Sequence, residues 1–541
     1  MMELPVLLGR RSESRMRAGA GWALAAVLAL GGCKVGPDFT PPTAPVAERY
    51  TQAPGAAADP ALLERWWTVY NDATLDRLIE TAFRQNLTLQ SAGTRVLEAR
   101  ARLGIAVGEF YPQSQQIGAG LSYNQASDRD PAGSPVGSLG NYWRSNWGLN
   151  AAWELDFWGR FRRGVQAADA AYLASIATYD DVLVTLLGDV ASTYIGIRTL
   201  QAQLQIARAN VVRQRTALQI ARDRFAGGVA TELDVFQAQN VLGQTEAAVP
   251  ALTAQLEQGK AALRVLLGMA PAPMEALLAG PPTIPVPPQS VAAGIPADLL
   301  RRRPDIRTAE LNAAAQSEQI GIAKADMYPA FRLSGLFGTS ASTARGDNLG
   351  DMFGANAISF GFGLDFSWPI LNYGQITNNV RVQDAKLQTL LTDYQNAVLK
   401  AQREVEGALA AFIQGGQQVA QLQRSANAAL SALGIAMEQY KLGTRDFTTV
   451  LTATQNLYTA QNNLAAAQGA RATALTNLYR ALGGGWEIRA GSDFVGEATR
   501  TQMRQRTDWG RLLPPAGQAQ PAPPLLPGPE NRGPDIRKPE W

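Results

Sequence analysis

The sequence predicts a mixed fold in which long α-helices continue into membrane β-strands, built twice over in one chain. Three observations carry this. Phe225 to Gly268 runs in step with Tyr440 to Gly483 at a constant offset of 215 residues (440 − 225): Phe225 meets Tyr440, Gly228 meets Gly443, Val235 meets Val450, Leu242 meets Leu457 and Gly268 meets Gly483. The same offset carries Trp153 to Trp368, Gly159 to Gly374 and Tyr179 to Tyr394. An ungapped register over such a distance marks a duplicated unit. Each copy also holds an aromatic-rich stretch alternating with period two, and each holds a long run with coiled-coil spacing. That combination points to a conduit rather than to a catalyst.

Composition narrows the field. A net charge of +3 over 541 residues is too small to point to nucleic acid, and no basic stripe is interleaved with aromatics. The chain has no histidine, which removes histidine triads, proton shuttles and metal sites, and no cofactor is expected. Its single cysteine forms no intramolecular disulfide. Hydrophobic residues make up 46%, yet beyond the N-terminus no run reads as a membrane helix, so further membrane contact falls to strands.

The elements follow in order. Residues 1–32 read as an export signal: Arg10, Arg11, Arg15 and Arg17 precede an apolar run from Trp22 to Leu30. Met1 and Met16 are both candidate starts. Leu30-Gly31-Gly32-Cys33 resembles a lipobox, in which the cysteine is acylated and becomes the first mature residue. The competing reading is an ordinary signal with a stray thiol. Lys34 follows, where lipoproteins retained in the inner membrane usually carry aspartate, so the outer membrane is favoured. Residues 33–60 form an extended, proline-rich lead-in.

The first repeat spans 61–268. Helical patterning starts near Leu62 and runs from Leu75 to Phe110; Tyr111-Pro112 ends it, because proline pushes the preceding residue out of the helical region. A strand pair follows over about 113–157. Trp147, Leu149, Ala151, Trp153, Leu155 and Phe157 fall on one face, with Asn146, Gly148, Asn150, Glu154 and Asp156 on the other. Such strands suit a membrane barrel with a wet interior. Half-buried hairpins in a soluble domain are the competing reading. The Gly, Ser, Asp and Asn of Asn124 to Tyr142 read as an exposed loop. A helical hairpin then occupies 159–268. There is no proline from Gly159 to Phe225, and that run would reach on the order of 100 Å as a helix.

Residues 269–295 form a proline-rich connection, and 296–483 repeat the plan. The second strand pair covers about 330–370, with Phe360, Phe362, Leu364, Phe366, Trp368 and Ile370 on one face and a loop from Thr339 to Ala355. The second helical hairpin covers 375–483. After Gly483 the pattern fades, and 484–541 read as an equatorial segment with a disordered, proline-rich tail. Four strands cannot close a barrel, and an open edge in lipid would leave backbone groups unpaired at several kcal/mol each. Strands that enter a membrane here must therefore be pooled by oligomerisation.

Several motifs carry a resemblance: Cys33-Lys34-Val35-Gly36-Pro37-Asp38-Phe39, Arg302-Arg303-Pro304-Asp305-Ile306, Ala323 to Pro329 (AKADMYP), Phe225-Ala226-Gly227-Gly228-Val229 and Tyr440-Lys441-Leu442-Gly443-Thr444-Arg445. From about Cys33 to Trp486 the chain resembles the outer membrane factor (TolC-like) family, in the lipoprotein branch that serves resistance-nodulation-division efflux pumps. The resemblance implies a homotrimer with a twelve-stranded outer-membrane β-barrel, four strands per chain, continuous with an α-helical periplasmic barrel. It implies a periplasmic adaptor and an inner-membrane pump as partners, outer-membrane lipid around the strands, and passive export of small molecules. Type I protein secretion and a non-conducting structural lipoprotein are the alternatives. No Ser-centred elbow or P-loop favours an enzyme.

The same resemblance places the periplasmic tip at the turns Ala226 to Glu232 and Lys441 to Phe447. Gly227, Gly228, Val229, Leu442, Gly443 and Thr444 are then the adaptor-docking candidates. Asp234, Tyr440, Arg445 and Asp446 are the gate candidates, with Asp234 accepting bonds from Arg445 and from the Tyr440 hydroxyl. The alternative for Asp234 is a carboxylate that suits the start of a helix. Acidic rings that narrow the tip of some relatives match Thr449 and Thr452 here, which leaves Asp446 as the nearby carboxylate; an exposed turn aspartate is its plainer reading. Arg301-Arg302-Arg303-Pro304-Asp305 reads as structural, with Pro304 at a helix start. Trp143, Trp147, Trp153, Trp158 and Trp368 read as interfacial or lipid-facing residues, against ordinary strand core.

Overall fold

A computed structural model describes residues 34–51, 63–125, 141–291, 302–346 and 348–513. The export signal, Cys33, the helix start near Leu62, the tip of the first strand loop, Arg301 and the tail beyond residue 513 lie outside the described residues.

Helix α1 (Ala73–Gln85) begins where the Asp72 carboxylate accepts from the N–H groups of Thr74 and Leu75. The helical run does not continue unbroken to Phe110. Asn86 is extended and starts α2 (Leu87–Phe110), its side chain accepting from the Leu89 N–H. The four strands are β1 (Ser114–Gln125), β2 (Asn141–Leu155), β3 (Ala330–Ser342) and β4 (Ile358–Ser367). They form one antiparallel sheet in the order β1-β2-β3-β4. Beyond β4, Pro369 has no N–H to donate to a ladder, so the alternation seen as far as Ile370 outruns the strand. At the other end β3 reaches Ser342, and three single turns, not open loop, occupy Thr343–Arg345, Leu349–Phe353 and Ala355–Ala357.

Pairing sets the two faces of the sheet. Ile117 lies opposite Leu149, Leu149 opposite Phe337 and Phe337 opposite Phe360; Trp153 lies opposite Leu333, which faces Leu364. Directly opposed residues share a face, so one face is mainly apolar and aromatic, with Gln115, Ser145 and Thr339 among its polar members. The other face carries Gln116, Asn150, Glu154, Arg332, Ser334, Asp365 and many glycines. There the Ser334 hydroxyl donates to Asp365 at 2.9 Å, and Arg332 lies 3.8 Å from Glu154. Phe362 on the apolar face is 86% exposed, and among the described residues no strand lies beside the outer edges of β1 and β4.

The helical hairpins leave the sheet from glycine. α3 (Arg160–Ala226) and α6 (Gln375–Lys441) each span 67 residues, about 100 Å at 1.5 Å per residue. α4 (Glu232–Leu266) and α7 (Phe447–Ala481) return over 35 residues each. All four boundaries of one hairpin map onto the other at the offset of 215 residues (375 − 160). α5 (Pro304–Ala325) precedes β3 as α2 precedes β1, with Pro304 in its first turn.

Two readings are corrected here. One 18-residue window of α3 is apolar enough by length and composition to cross a membrane. More than half of it is buried, because Leu183, Leu187, Val190, Tyr194 and Ile195 form the main core with Leu78, Ile79, Leu475 and Leu478. Its hydropathy is that of a core helix. Pattern also does not fade after Gly483. A turn at Trp486–Arg489 and α8 (Glu497–Arg506) follow, and Arg489 donates two bonds to the buried Asp180 of α3, tying this segment to the middle of the long helices.

Arg302 and Arg303 serve this equatorial region. Arg302 pairs with Glu487 at 2.8 Å, while Arg303 binds Asp305, Glu404 at 2.8 Å and the Ala481 carbonyl. The indole N–H groups of Trp153, Trp158 and Trp368 donate to the carbonyls of Phe110, Pro329 and Met327. These three rings are thereby fixed where strands meet helices.

Candidate functional site

The tips of the two hairpins, at the far end of α3 and α6 from the sheet, share one small core. Leu218, Ala221, Val235 and Leu242 pack with Leu433, Tyr440, Phe447 and Val450. The Tyr440 and Phe447 rings lie 5.1 Å apart. Each long helix ends in a glycine with left-handed backbone, Gly228 at φ 74° and Gly443 at φ 75°. The chain reverses there because a residue without Cβ takes that conformation at no steric cost. Gly227 donates to the Asp223 carbonyl, Val229 to Arg224 and Thr444 to Gln439, which satisfies carbonyls in the last turns of both helices. Val229 and Leu442 point outward and are exposed.

The two returning helices start by related but exchanged means. In the first turn the Thr231 N–H donates to the Asp234 carboxylate at 3.4 Å. In the second, Asp446 caps α7 and accepts from the Thr449 N–H at 3.3 Å and the Thr449 hydroxyl at 2.7 Å. Thr-x-x-Asp in one copy stands at the places of Asp-x-x-Thr in the other. The Thr449 bonds hold the Asp446 carboxyl below the usual carboxylate range. Its charge therefore persists at neutral pH on an exposed turn.

Among the described residues of one chain, Asp234 receives no bond from Arg445 or from the Tyr440 hydroxyl. Asp234 is turned to its own helix start, and the buried Tyr440 hydroxyl has no partner. Burial raises the Tyr440 pKa, the Asp234 charge raises it further and Arg224 opposes it. Asp234 is thus electrostatically close to the ring without bonding to it.

At the tip, Arg224, which the motifs did not single out, bonds one hairpin to the other. Its Nη1 donates to the Tyr440 carbonyl at 2.6 Å and to the Lys441 carbonyl at 3.1 Å, and its guanidinium lies 4.7 Å from the Tyr440 ring centre. A cation on the last carbonyls of α6 suits both their unpaired lone pairs and the negative end of the helix dipole. The available signal was a basic residue in the last turn of a helix before a glycine. Beside these turns, a groove of about 840 Å³ runs between α6 and α7, lined by Ala432, Ala436, Asp446, Thr449, Thr452 and Asn456 among others. Mostly alanines of α6 face mostly threonines and asparagines of α7 across it, with the Asp446 carboxylate beside them.

Residues 78–269 and 295–484 match the outer membrane efflux protein family. The chain belongs to that family. The two matched stretches correspond to the two repeats. Among relatives, the toluene efflux pump outer membrane protein TtgI of Pseudomonas putida is 31% identical over 479 residues, covering 86% of this chain and 97% of the relative. Nodulation protein T of Rhizobium leguminosarum bv. trifolii is 30% identical over 460 residues, covering 85% and 96%. Of solved structures, the outer-membrane channel OprN superposes with TM-score 0.76 at 30% identity, covering 84% of this chain and all of that one. The channel CusC superposes with TM-score 0.72 at 26% identity over the same share. This outer membrane efflux protein therefore has the TolC-like fold and is an efflux channel of the outer membrane. Its family and fold are those of channels, not enzymes.

Proposed function

We propose that the efflux protein works as a homotrimer whose twelve pooled strands close one barrel, acylated at Cys33. A periplasmic adaptor docks on the tip, and an inner-membrane pump supplies the energy for passive exit of small molecules. The observation that carries this reading is the sheet. One of its faces is mainly apolar and aromatic, the other is mainly polar, and among the described residues its two edges are unpaired at the end of helices about 100 Å long. In lipid the open edges demand partners. Relatives named for toluene efflux and pyoverdine export support small molecules over secreted proteins as cargo.

At the tip, Gly227, Gly228, Val229, Leu442, Gly443 and Thr444 offer the adaptor backbone groups and two exposed apolar side chains. The gate is a latch in which Asp234 leaves Thr231 and accepts from the Tyr440 hydroxyl and Arg445, with Asp446 as the nearby carboxylate of the aperture. Charge-assisted bonds of this kind contribute about 1–3 kcal/mol each. The capping geometry at Asp234 favours a second, purely structural role for that residue. Palmitate labelling, native mass and planar-bilayer conductance of the purified protein test the reading. Monomers without conductance would overturn the channel assembly, and closed-state current unchanged in Asp234→Ala and Arg445→Ala would overturn the latch.

A further inference from the structure

A single buried cation holds the start of the lead-in. Arg163 lies in the first turn of α3, and its side chain is 1% exposed. Its Nε donates to the Val35 carbonyl and its Nη2 to the Gly36 carbonyl, each at 3.1 Å. Its Nη1 pairs with Glu318 of α5 at 2.7 Å and lies 3.1 Å from Asp38. Gly36 has φ 97°, and a Cβ there would stand 2.5 Å from the Gly321 Cα of α5. A Cβ on Gly321 would in turn stand 2.7 Å from the Arg163 Nε. The lead-in therefore passes between α3 and α5 only because two glycines touch. One residue further back, the Val35 N–H donates to the Trp158 carbonyl, and Lys34 bonds Gln166. This is the level at which the apolar sheet face gives way to helix.

From there the lead-in follows α6. Gln402 accepts from the Ala47 N–H and donates to the Pro45 carbonyl, and Glu406 accepts from the N–H and hydroxyl of Thr51. Tyr50 is buried in the main core. From the start of α6 to Glu406 is about 45 Å of helix, a span that residues 34–51 cover when extended.

We propose that residues 34–51 are an assembly clasp, and that Arg163 is the positioning residue that fixes the N-terminal lipid anchor at the periplasmic rim of the sheet. The lead-in is fixed at that level from Lys34 onward by the bonds of Lys34, Val35 and Gly36. The acyl chains then enter the bilayer beside the apolar face rather than at the end of a free tether. The clasp also draws α5 and α6 together, so four strands reach the membrane already aligned for their neighbours. The proposal rests on the acylated trimer read above.

The test uses the full-length protein in membranes. Gly36→Val cannot occupy the gap beside Gly321 and opens the clasp from outside the helical core. Glu406→Ala frees the far end of the lead-in through a half-buried side chain outside the main core, and it decides the matter where Gly36→Val fails to fold. Trypsin cleavage after Arg49, palmitate labelling and trimer content on native gels are read together. The expected result is cleavage at least fivefold faster, unchanged labelling, unchanged protection of the tip helices, and a trimer yield reduced several-fold in Gly36→Val and less in Glu406→Ala. A loosened lead-in with wild-type trimer yield overturns the clasp alone. A wild-type protein that takes no palmitate overturns the anchor reading and the clasp with it.

Discussion

Replacing Asp181 by asparagine should stabilise this protein at neutral pH. Asp181 sits on α3 in the equatorial region and accepts no hydrogen bond from the described residues. Burial, with help from the Asp305 charge, pushes its carboxyl up to about 6, against attraction from Arg303 and Arg480. The sign follows from linkage. A carboxyl whose pKa is raised in the folded state binds its proton more tightly there than in the unfolded chain. Its ionisation therefore costs stability, nothing below about pH 4 and the full amount above about pH 6. A rise from 3.8 to about 6 corresponds to roughly 3 kcal/mol at pH 7. The attraction to the two arginines is already inside that net shift. With an unfolding entropy near 2.1 cal/mol/K per residue, 541 residues give about 1.1 kcal/mol/K, so Asp181→Asn should raise the melting midpoint by about 2–3 °C. The offset of 215 residues places Asn396 at the matching position, so the same exchange already stands in the second repeat. Calorimetry of the detergent-purified protein at pH 7 and pH 4 decides it. A gain of equal size at both pH values, or none at pH 7, would refute the electrostatic reasoning.

Asp180, next along the chain, is also pushed up to about 6 by burial, but Arg489 donates two bonds to it. Arg489→Met should cost about 3–5 kcal/mol at pH 7 by stranding a buried charge; adding Asp180→Asn should recover most of it in the same melting assay. Gly443→Ala forces a Cβ into left-handed backbone and should cost about 1–2 kcal/mol, with a matching fall in midpoint. Arg224→Gln should raise the closed-state current in planar bilayers by releasing the end of α6 from the first hairpin; wild-type leak in that variant would remove Arg224 from the gate. Asp446→Asn keeps a good helix cap while deleting the one charge, so its melting midpoint should hold while cation preference, read as reversal potential, declines.

How much was legible differs by element. The strand faces were readable because period two leaves no freedom once aromatic residues alternate with Asn, Gly and Asp, and Ile117 to Phe360 do lie across one apolar face. The hairpins were readable because Gly228 and Gly443 mark the turns and proline is missing from the long first run. Pro250 inside α4 was not a stop, although its ring removes one backbone donor. α4 continues through it to Leu266. Arg224 stayed hidden because its partners are backbone carbonyls, and Arg163 because two of its four are, which leave no trace in the identity of the acceptor residue. Asp234 and Tyr440 share the tip, but which bond each makes depends on rotamers that spacing does not encode.

The two repeats differ most where the lead-in and the tip impose unequal demands. The boundaries of the two helical hairpins keep one register, so that part of the scaffold tolerates little change. Yet Arg163 is matched by Asn378, Glu318 by Leu103 and Gly321 by Ala106, and only the first set meets the lead-in. At the tip, Arg224 is matched by Gln439, and the threonine and aspartate of the helix starts have changed places. A duplicated chain has one N-terminus and therefore one place to hold it. Its two hairpins, once packed against each other, no longer have equivalent surroundings, and among the described residues the bond from Arg224 to α6 has no counterpart from Gln439. Restoring symmetry with Arg224→Gln should loosen only the junction of the hairpins, whereas Arg163→Asn should loosen only the lead-in. Trypsin mapping of the two variants separates these outcomes, and a common cleavage pattern in both would mean that tip and clasp are not independent.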